Sequence, residues 1–406
     1  MLPGITLATN GSLLIGYGAK SRSMGGAGVA FAQDALVSAV NPAGMTDVGN
    51  RFDAGLMIFH PKRSAYVPGF SGRDNIQSGS EWFAIPNMGA NYRFNRKVSM
   101  GFAFVGSGGG NTRYNENFFD FSGDPNPTLG VNLMQAVMSP SLAYKVDKHN
   151  SIGASVLLGL QSFRAYGLEA FGDAGFSSDP EHLTGNGNEM SYGAGLRFGW
   201  RGKFFDDFLT LGASYSSRVY MTKFDKYKGL FAEHGDADMP AMYTLGLAIK
   251  PIDKVTVAFD YQHVDYSSIK SFSNHGPKVF LPLPKEKHLM GEDEGLGFGW
   301  RDMDVYKIGI SYDYSDRYTF RAGYNYGTKP MPGNGVEILA NTLAPAVTEH
   351  HATLGMSYRP DKNMEWSIAA MYAFRKDVVE FNEFSNDNIR ISMHQYAGEI
   401  SFGYKF

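Results

Sequence analysis

From about residue 52 to the C-terminus the chain alternates apolar and polar residues with a period of two, and few folds can use so much of that pattern. In Val305–Tyr314, the residues Tyr306, Ile308, Ile310, Tyr312 and Tyr314 share one face, and Lys307, Gly309, Ser311 and Asp313 share the other. Tyr318, Phe320, Ala322, Tyr324 and Tyr326 repeat the arrangement against Thr319, Arg321, Gly323 and Asn325, as do Tyr396, Ile400, Phe402, Tyr404 and Phe406 against Glu399, Ser401 and Lys405. A soluble sandwich would turn the apolar face inward. Strands of ten or more residues that end in Tyr, Trp or Phe suit the opposite arrangement, with the apolar face against lipid, aromatics at both interfaces and the polar face lining a lumen.

The connections support a barrel. Short polar links at Asn95–Lys97, Asp147–Asn150, Lys203–Asp207, Pro251–Lys254, Ser315–Arg317 and Pro360–Asn363 alternate with longer stretches near 67–80, 115–129, 169–189, 222–239, 268–303, 327–348 and 379–389. Six turns and seven loops give an all-β, fourteen-stranded antiparallel transmembrane β-barrel over 51–406, both termini on the short-turn side. Closure removes the strand edges that an open sheet of this size would expose. Composition agrees: 19% of residues are charged, against roughly 25% for an average soluble domain. The 49 glycines, 23 tyrosines and 30 phenylalanines fit strands. No apolar run approaches the ~18 residues of a membrane-spanning helix. The absence of cysteine excludes disulfide scaffolds, thiol catalysis and Cys-ligated metals. A net charge of −3 announces no nucleic-acid partner.

Lumen-facing positions are small, Gly193, Gly195, Gly212, Ser214, Ser216 and Gly246 among them, and together they leave interior space. Residues 1–50 do not alternate. Thr6-x-Ala8 looks like the end of a signal-peptide cleavage site, so the mature chain is expected to begin close by. Asp34 suits the N-cap of a short helix that Asn41-Pro42 would end. The small residues of 24–30 allow close backbone packing, so this segment reads either as a plug folded into the lumen or as an extension outside it.

The motif Gly18-x-x-Ser21-x-x-Met24-Gly25-Gly26-Ala27-Gly28-Val29-Ala30, followed by Asp34 and Asn41-Pro42-Ala43, resembles the N-terminal signature of the FadL family of outer-membrane transporters. Ile85-Pro86-Asn87-Met88, Gly299-Trp300-Arg301-Asp302, Thr319-Phe320-Arg321-x-Gly323 and the terminal Phe406 extend the resemblance across the chain. It implies a barrel in the bacterial outer membrane plugged by an N-terminal hatch over 1–50. It also implies passive import of long-chain fatty acids or other hydrophobic molecules, with no cofactor, no metal and a monomeric protein among outer-membrane lipid and lipopolysaccharide. Aromatic or aliphatic hydrocarbons are the alternative cargo. The family's third strand carries a kink that opens the wall sideways, matched here by Gly106, Ser107, Gly108, Gly109 and Gly110, whose four glycines suit a bulge.

The resemblance also singles out two arginines for a carboxylate head group, Arg301 in the Gly-Trp-Arg-Asp match and Arg164 in Gln161–Tyr166. The loop near 169–189 is shorter than in the best-known members, and Phe171, Phe176, Leu230 and Phe231 are the candidates for an outer capture groove. An enzyme is the weaker reading, because the chain holds neither a G-x-S-x-G elbow nor an H-E-x-x-H site. His350 and His351 should point to opposite faces of a strand. A general porin would need charged constriction rings and an open lumen, and Glu292-Asp293-Glu294 reads as a solvated loop.

Overall fold

The computed structural model describes residues 9–68, 75–120, 128–276, 288–332, 337–382 and 386–406. The Thr6-x-Ala8 pattern lies outside them, as do parts of five of the expected long connections. Among the described residues fourteen strands make up the wall: β1 Arg51–Tyr66, β2 Phe83–Arg93, β3 Val98–Asn111, β4 Gly130–Lys145, β5 Asn150–Tyr166, β6 Glu189–Phe204, β7 Leu209–Ser216, β8 Ala241–Ile252, β9 Val255–Asp265, β10 Met303–Asp313, β11 Tyr318–Gly327, β12 His350–Tyr358, β13 Met364–Asn382 and β14 Asp387–Lys405. Each pairs antiparallel with the next, and β14 returns to β1 from Arg51↔Lys405 to Tyr66↔Arg390, which closes the sheet.

The short links fall together at one end, with both ends of the barrel segment beside them. One expected loop is mostly strand. Residues 379–382 continue β13 and 387–389 begin β14, so the stretch near 379–389 is the tip of a long hairpin. A bulge between Ala373 and Lys376 keeps this extension in register with β14.

The register sets the height of the lipid-facing band. On β14, Tyr404 lies beside Phe52 and Met364, and Tyr396 lies beside His60 and Tyr372. The eight steps between these two aromatic rows span about 26 Å along the strand, or about 20 Å of height at a tilt of about 40°, somewhat less than the ~25 Å apolar belt of an outer-membrane barrel. Between the rows stand Leu56, Ile400, Ile368 and Ile58, all more than 40% exposed, as a lipid-facing wall requires.

Inside, the N-terminal segment fills the lumen at the short-turn end. It contains a helix at Gly18–Ser23 and 3-10 turns at Ala35–Ala39 and Pro42–Gly44. The Asp34 carboxylate caps the first turn by accepting from Leu36 N at 3.1 Å. Asn41 caps the second through Ala43 N at 3.1 Å, and its amide donates to Val29 O at 2.8 Å and Trp200 O at 3.0 Å. The small wall residues make this approach possible. A Cβ on Gly323 would lie 2.2 Å from Gly25 N, and one on Gly212 would lie 2.4 Å from Val29 O.

Buried ion pairs hold the plug to the wall. Arg22 Nε donates to Glu399 at 2.6 Å, and Asn87 donates to the other oxygen of that carboxylate at 2.7 Å. Lys20 pairs with Glu365, which also receives Arg359 at 3.0 Å and Arg51 at 3.2 Å. Arg51 forks onto Asp53, whose Oδ2 accepts from Ala35 N at 2.9 Å. Removing one partner of such a pair leaves the other charge buried alone, at a cost of about 3–5 kcal/mol. Glu399→Ala is therefore expected to accelerate proteolysis within residues 9–50 while the barrel keeps its folded gel migration; unchanged proteolysis would mean that the pair does not anchor the plug.

Candidate functional site

The wall is interrupted in one place along β3. Its pairing with β2 runs from Arg93↔Ser99 to Asn87↔Val105 and stops there, although β3 continues to Asn111. On the other side, a register shift between Gly106 and Gly108 leaves Ser107 as an extra residue against β4. Gly109 has φ +148°, and a Cβ there would lie 2.1 Å from Leu133 O, so the bulge needs glycine. Backbone groups that the missing β2 partner leaves open find the plug instead. Leu14 N donates to Ser107 O at 3.2 Å, and Gly109 N donates to Ser12 O at 2.8 Å. The approach is so close that a Cβ on Gly108 would fall 1.8 Å from Ser12 O. Above the split, Arg63 of β1 donates to Asn111 O and Ser80 O and bridges the two sides.

Directly inside this break lies an apolar cavity of about 70 Å³. Gly109 and Gly110 form part of its wall, Ser12 its edge toward the plug, and Val131, Leu133 and Phe163 the neighbouring strands. The loops supply the rest, through Leu168, Leu230, Phe231, Phe272, Leu296, Phe298, Trp300, Ala340, Leu343 and Ala344. Among the described lining residues the side-chain polar groups are the hydroxyls of Ser12 and Ser271 and the indole N–H of Trp300, and none is charged. An apolar cavity of about 150 Å³ is needed to hold benzene, so this one must widen to admit even a small hydrocarbon.

Loop hydrogen bonds set the lining. Trp300 Nε1 donates to Asn341 Oδ1 at 2.7 Å, tying the Phe298–Trp300 loop to the helix Glu337–Asn341. Thr112 Oγ1 donates to Leu343 O at 2.6 Å and Tyr114 Oη to Thr342 O at 2.8 Å, which tie that same segment to the far end of β3.

The residues singled out in the sequence separate into two groups. The glycine-rich break and the plug motif meet one another through Ser12–Leu14. Gly25 N donates to Thr353 Oγ1 at 2.9 Å, Gly28 N to Asp260 Oδ2 at 2.7 Å, and Ser151 Oγ to Ala43 O at 3.1 Å, while Gly26 has φ +84° with no room for a Cβ against Ile15 O. Pro42 packs against Gly153. The two arginines are elsewhere. Arg164 points outward because Phe163 points in, and it is exposed over the Tyr166 ring at 5.3 Å. Arg301 is exposed in the loop before β10, and its neighbour Trp300 is the one that reaches the cavity. Neither arginine lines the cavity. Phe171 and Phe231 are buried rather than displayed on an outer groove, with Phe231 4.6 Å from Phe163 and Phe171 5.1 Å from Phe119. Phe176 and Leu230 pack on the same cluster, and Leu230 lines the cavity. His350 and His351 do face opposite sides, exposed and buried. No group of His, Asp or Glu suited to a metal occurs among the described residues.

An acidic pair supports the loop that carries Phe231. Arg218 donates to Asp236 at 2.9 Å and to Asp238 at 2.5 Å, and Ser271 Oγ, at the cavity, donates to Asp236 O. Burial, and then the Asp238 charge, push the Asp236 carboxyl up to about 6. A carboxyl raised on folding adds stability below its ordinary range that is lost as pH rises through about 6. The protection of the amides over residues 230–237, taken relative to the intrinsic exchange rate at each pH, should therefore be greater at about pH 5 than at pH 7, and protection that does not change with pH would contradict this assignment.

The comparisons fit this geometry. Residues 15–403 match the family described as outer membrane protein transport protein (OMPP1/FadL/TodX). No curated protein sequence matches the chain. The fold is shared with the Pseudomonas putida toluene transporter TodX at TM-score 0.73 and 21% identity, covering 97% of this chain and 99% of that one. It is shared also with the Ralstonia pickettii toluene transporter TbuX at TM-score 0.68 and 21% identity over 97% and 99%. A Pseudomonas aeruginosa FadL homologue follows the same fold at TM-score 0.70 and 17% identity over 98% and 100%. The chain belongs to the OMPP1/FadL/TodX family of outer-membrane transport proteins, channels for hydrophobic compounds.

Proposed function

We propose that this protein carries hydrophobic molecules passively across the outer membrane, taking them into the loop-end cavity and releasing them sideways between β2 and β3 into lipid. The single observation that supports this most is that Gly109 and Gly110 belong at once to the break in the wall and to the cavity lining. On this reading the loops face outward and the short turns face the periplasm, with residues 9–50 as the hatch.

Magnitudes favour a side exit for such cargo. Each buried methylene contributes ~0.8 kcal/mol, so an alkyl chain of a dozen is held by roughly 10 kcal/mol before binding costs. Passage through a polar, plugged lumen would forfeit that energy; passage into lipid keeps it. The break is tolerable because Ser12–Leu14 satisfy its backbone groups, which would otherwise cost several kcal/mol each in lipid. Opening the exit and widening the cavity are then one movement, withdrawal of residues 12–14 from β3.

An uncharged lining accepts an alkyl tail or a hydrocarbon equally, so long-chain fatty acids and aromatic or aliphatic hydrocarbons are both within reach of this cavity. Two labelled probes test the reading, dodecanoate and toluene, taken up by transporter-deficient cells. Wild type should import at least one, and Gly108→Val/Gly109→Val/Gly110→Val should lose uptake while the barrel still folds. Undiminished uptake by the triple variant would reject the side exit and leave an axial path past the hatch.

A further inference from the structure

Beneath the apolar cavity, across the partition made by residues 12–14, is a second chamber of a different chemical character. Ser12 lines the cavity above, whereas Leu13 lines this space of about 40 Å³ below, which has room for more than one water-sized group. Its wall carries Arg197 of β6 and Lys307 of β10, both less than 9% exposed. Ser214, Ser216, Thr244 and Gln262 surround them.

The two cations lack what the other buried charges of the plug possess. Lys20, Arg22 and Arg51 each meet a carboxylate. Among the described residues, Arg197 reaches only neutral oxygens, Ser216 Oγ at 2.7 Å and Ser38 O at 3.4 Å. Lys307 has no hydrogen bond or ion pair among them. The carboxylate opposite Lys307 in register, Asp260, lies outside ion-pair distance and spends Oδ2 on the amides of Gly28 and Val29 at 2.7 and 3.0 Å. Asp260 offsets part of the Lys307 charge from outside the chamber, but among the described residues no carboxylate lines the chamber itself, so two buried positive groups face that polar space and an anion entering it relieves both.

The geometry points to a carboxylate-binding site in this chamber, formed by Arg197 and Lys307 and reached from the apolar cavity when residues 12–14 move. It rests on the transport reading above and deepens it, because a molecule with an apolar body and an acidic head would occupy the cavity and the chamber in turn. Carboxylate is the shared chemistry of two sources, the head of such an amphiphile and a small free acid. Arginine offers paired charge-assisted bonds and lysine a point charge, so the site grips a planar anion from two sides.

The test is binding of dodecanoate and dodecanol to the full-length barrel in detergent, in wild type, Arg197→Gln, Lys307→Met and the charge-conserving pair Arg197→Lys and Lys307→Arg. Loss of a charged hydrogen-bond donor should weaken dodecanoate about tenfold or more in the neutral variants. Dodecanol should bind all variants alike, the charge-conserving pair should keep its preference for the acid, and the neutral variants should melt no lower than wild type. Equal loss for acid and alcohol, or no loss for the acid, would overturn the site. Acetate separates the sources: displacement of dodecanoate by acetate in wild type and not in Lys307→Met assigns the site to any carboxylate, and dodecanoate binding that is sensitive to Lys307→Met yet indifferent to acetate assigns it to the amphiphile head. Failure of wild type to bind dodecanol as well as dodecanoate would instead count against the transport reading.

Discussion

A strand that lies against lipid must pair every backbone amide and carbonyl, and the whole architecture follows from how this chain meets that demand. Closure of β14 on β1 meets it around the ring. Along β3 beyond Val105 it is met by residues from the other end of the chain, because Ser12–Leu14 supply the partner that β2 does not. Wall and plug are thus one hydrogen-bonded unit at that position, and the apolar cavity, the break and the polar chamber all border the same few residues.

That arrangement makes the plug more than a stopper. Its lower part is held by buried ion pairs from Lys20, Arg22 and the Arg51 cluster, each of which must be broken at considerable cost. Residues 12–14 are held at the glycine-rich break by two backbone hydrogen bonds, to Ser107 O and from Gly109 N, and on the other side by the Tyr266 hydroxyl, which accepts from Ser12 N at 2.9 Å and lies 3.1 Å from Ser12 Oγ. Net hydrogen bonds contribute only about 1 kcal/mol each, so on the proposed route residues 12–14 move before the ion-paired part does. Ligand burial is large enough to drive that motion, since at ~0.8 kcal/mol per methylene a dozen outweigh these few bonds.

Much of this was legible in the sequence because membrane strands obey strict rules. The period-two pattern located the strands, and the contrast of short and long links ordered the two ends. Asp34 and Asn41-Pro42 marked real caps, although the helix they suggested is two 3-10 turns. The small lumen residues announced space, and the plug backbone occupies it at Gly212 and Gly323. The cavity was not legible, since its walls come from loops and strands hundreds of residues apart. Arg164 illustrates a missed use of the pattern itself: with Phe163 facing in, its neighbour had to face out. Lys307 had the converse signal, a cation on the polar face of a strand whose partners Tyr306 and Ile308 face lipid. Only the structure places Arg197 beside the same chamber.

The claim on which the account turns is that residues 12–14 seal the break in β3 and leave it when cargo is bound. Amide hydrogen exchange at Gly109 and Leu14 measures that seal directly, because each donates across the junction. With saturating dodecane in detergent, the account predicts faster exchange at these two amides while the paired amides of β12–β14 stay protected. Unchanged exchange at both with ligand demonstrably bound would contradict it.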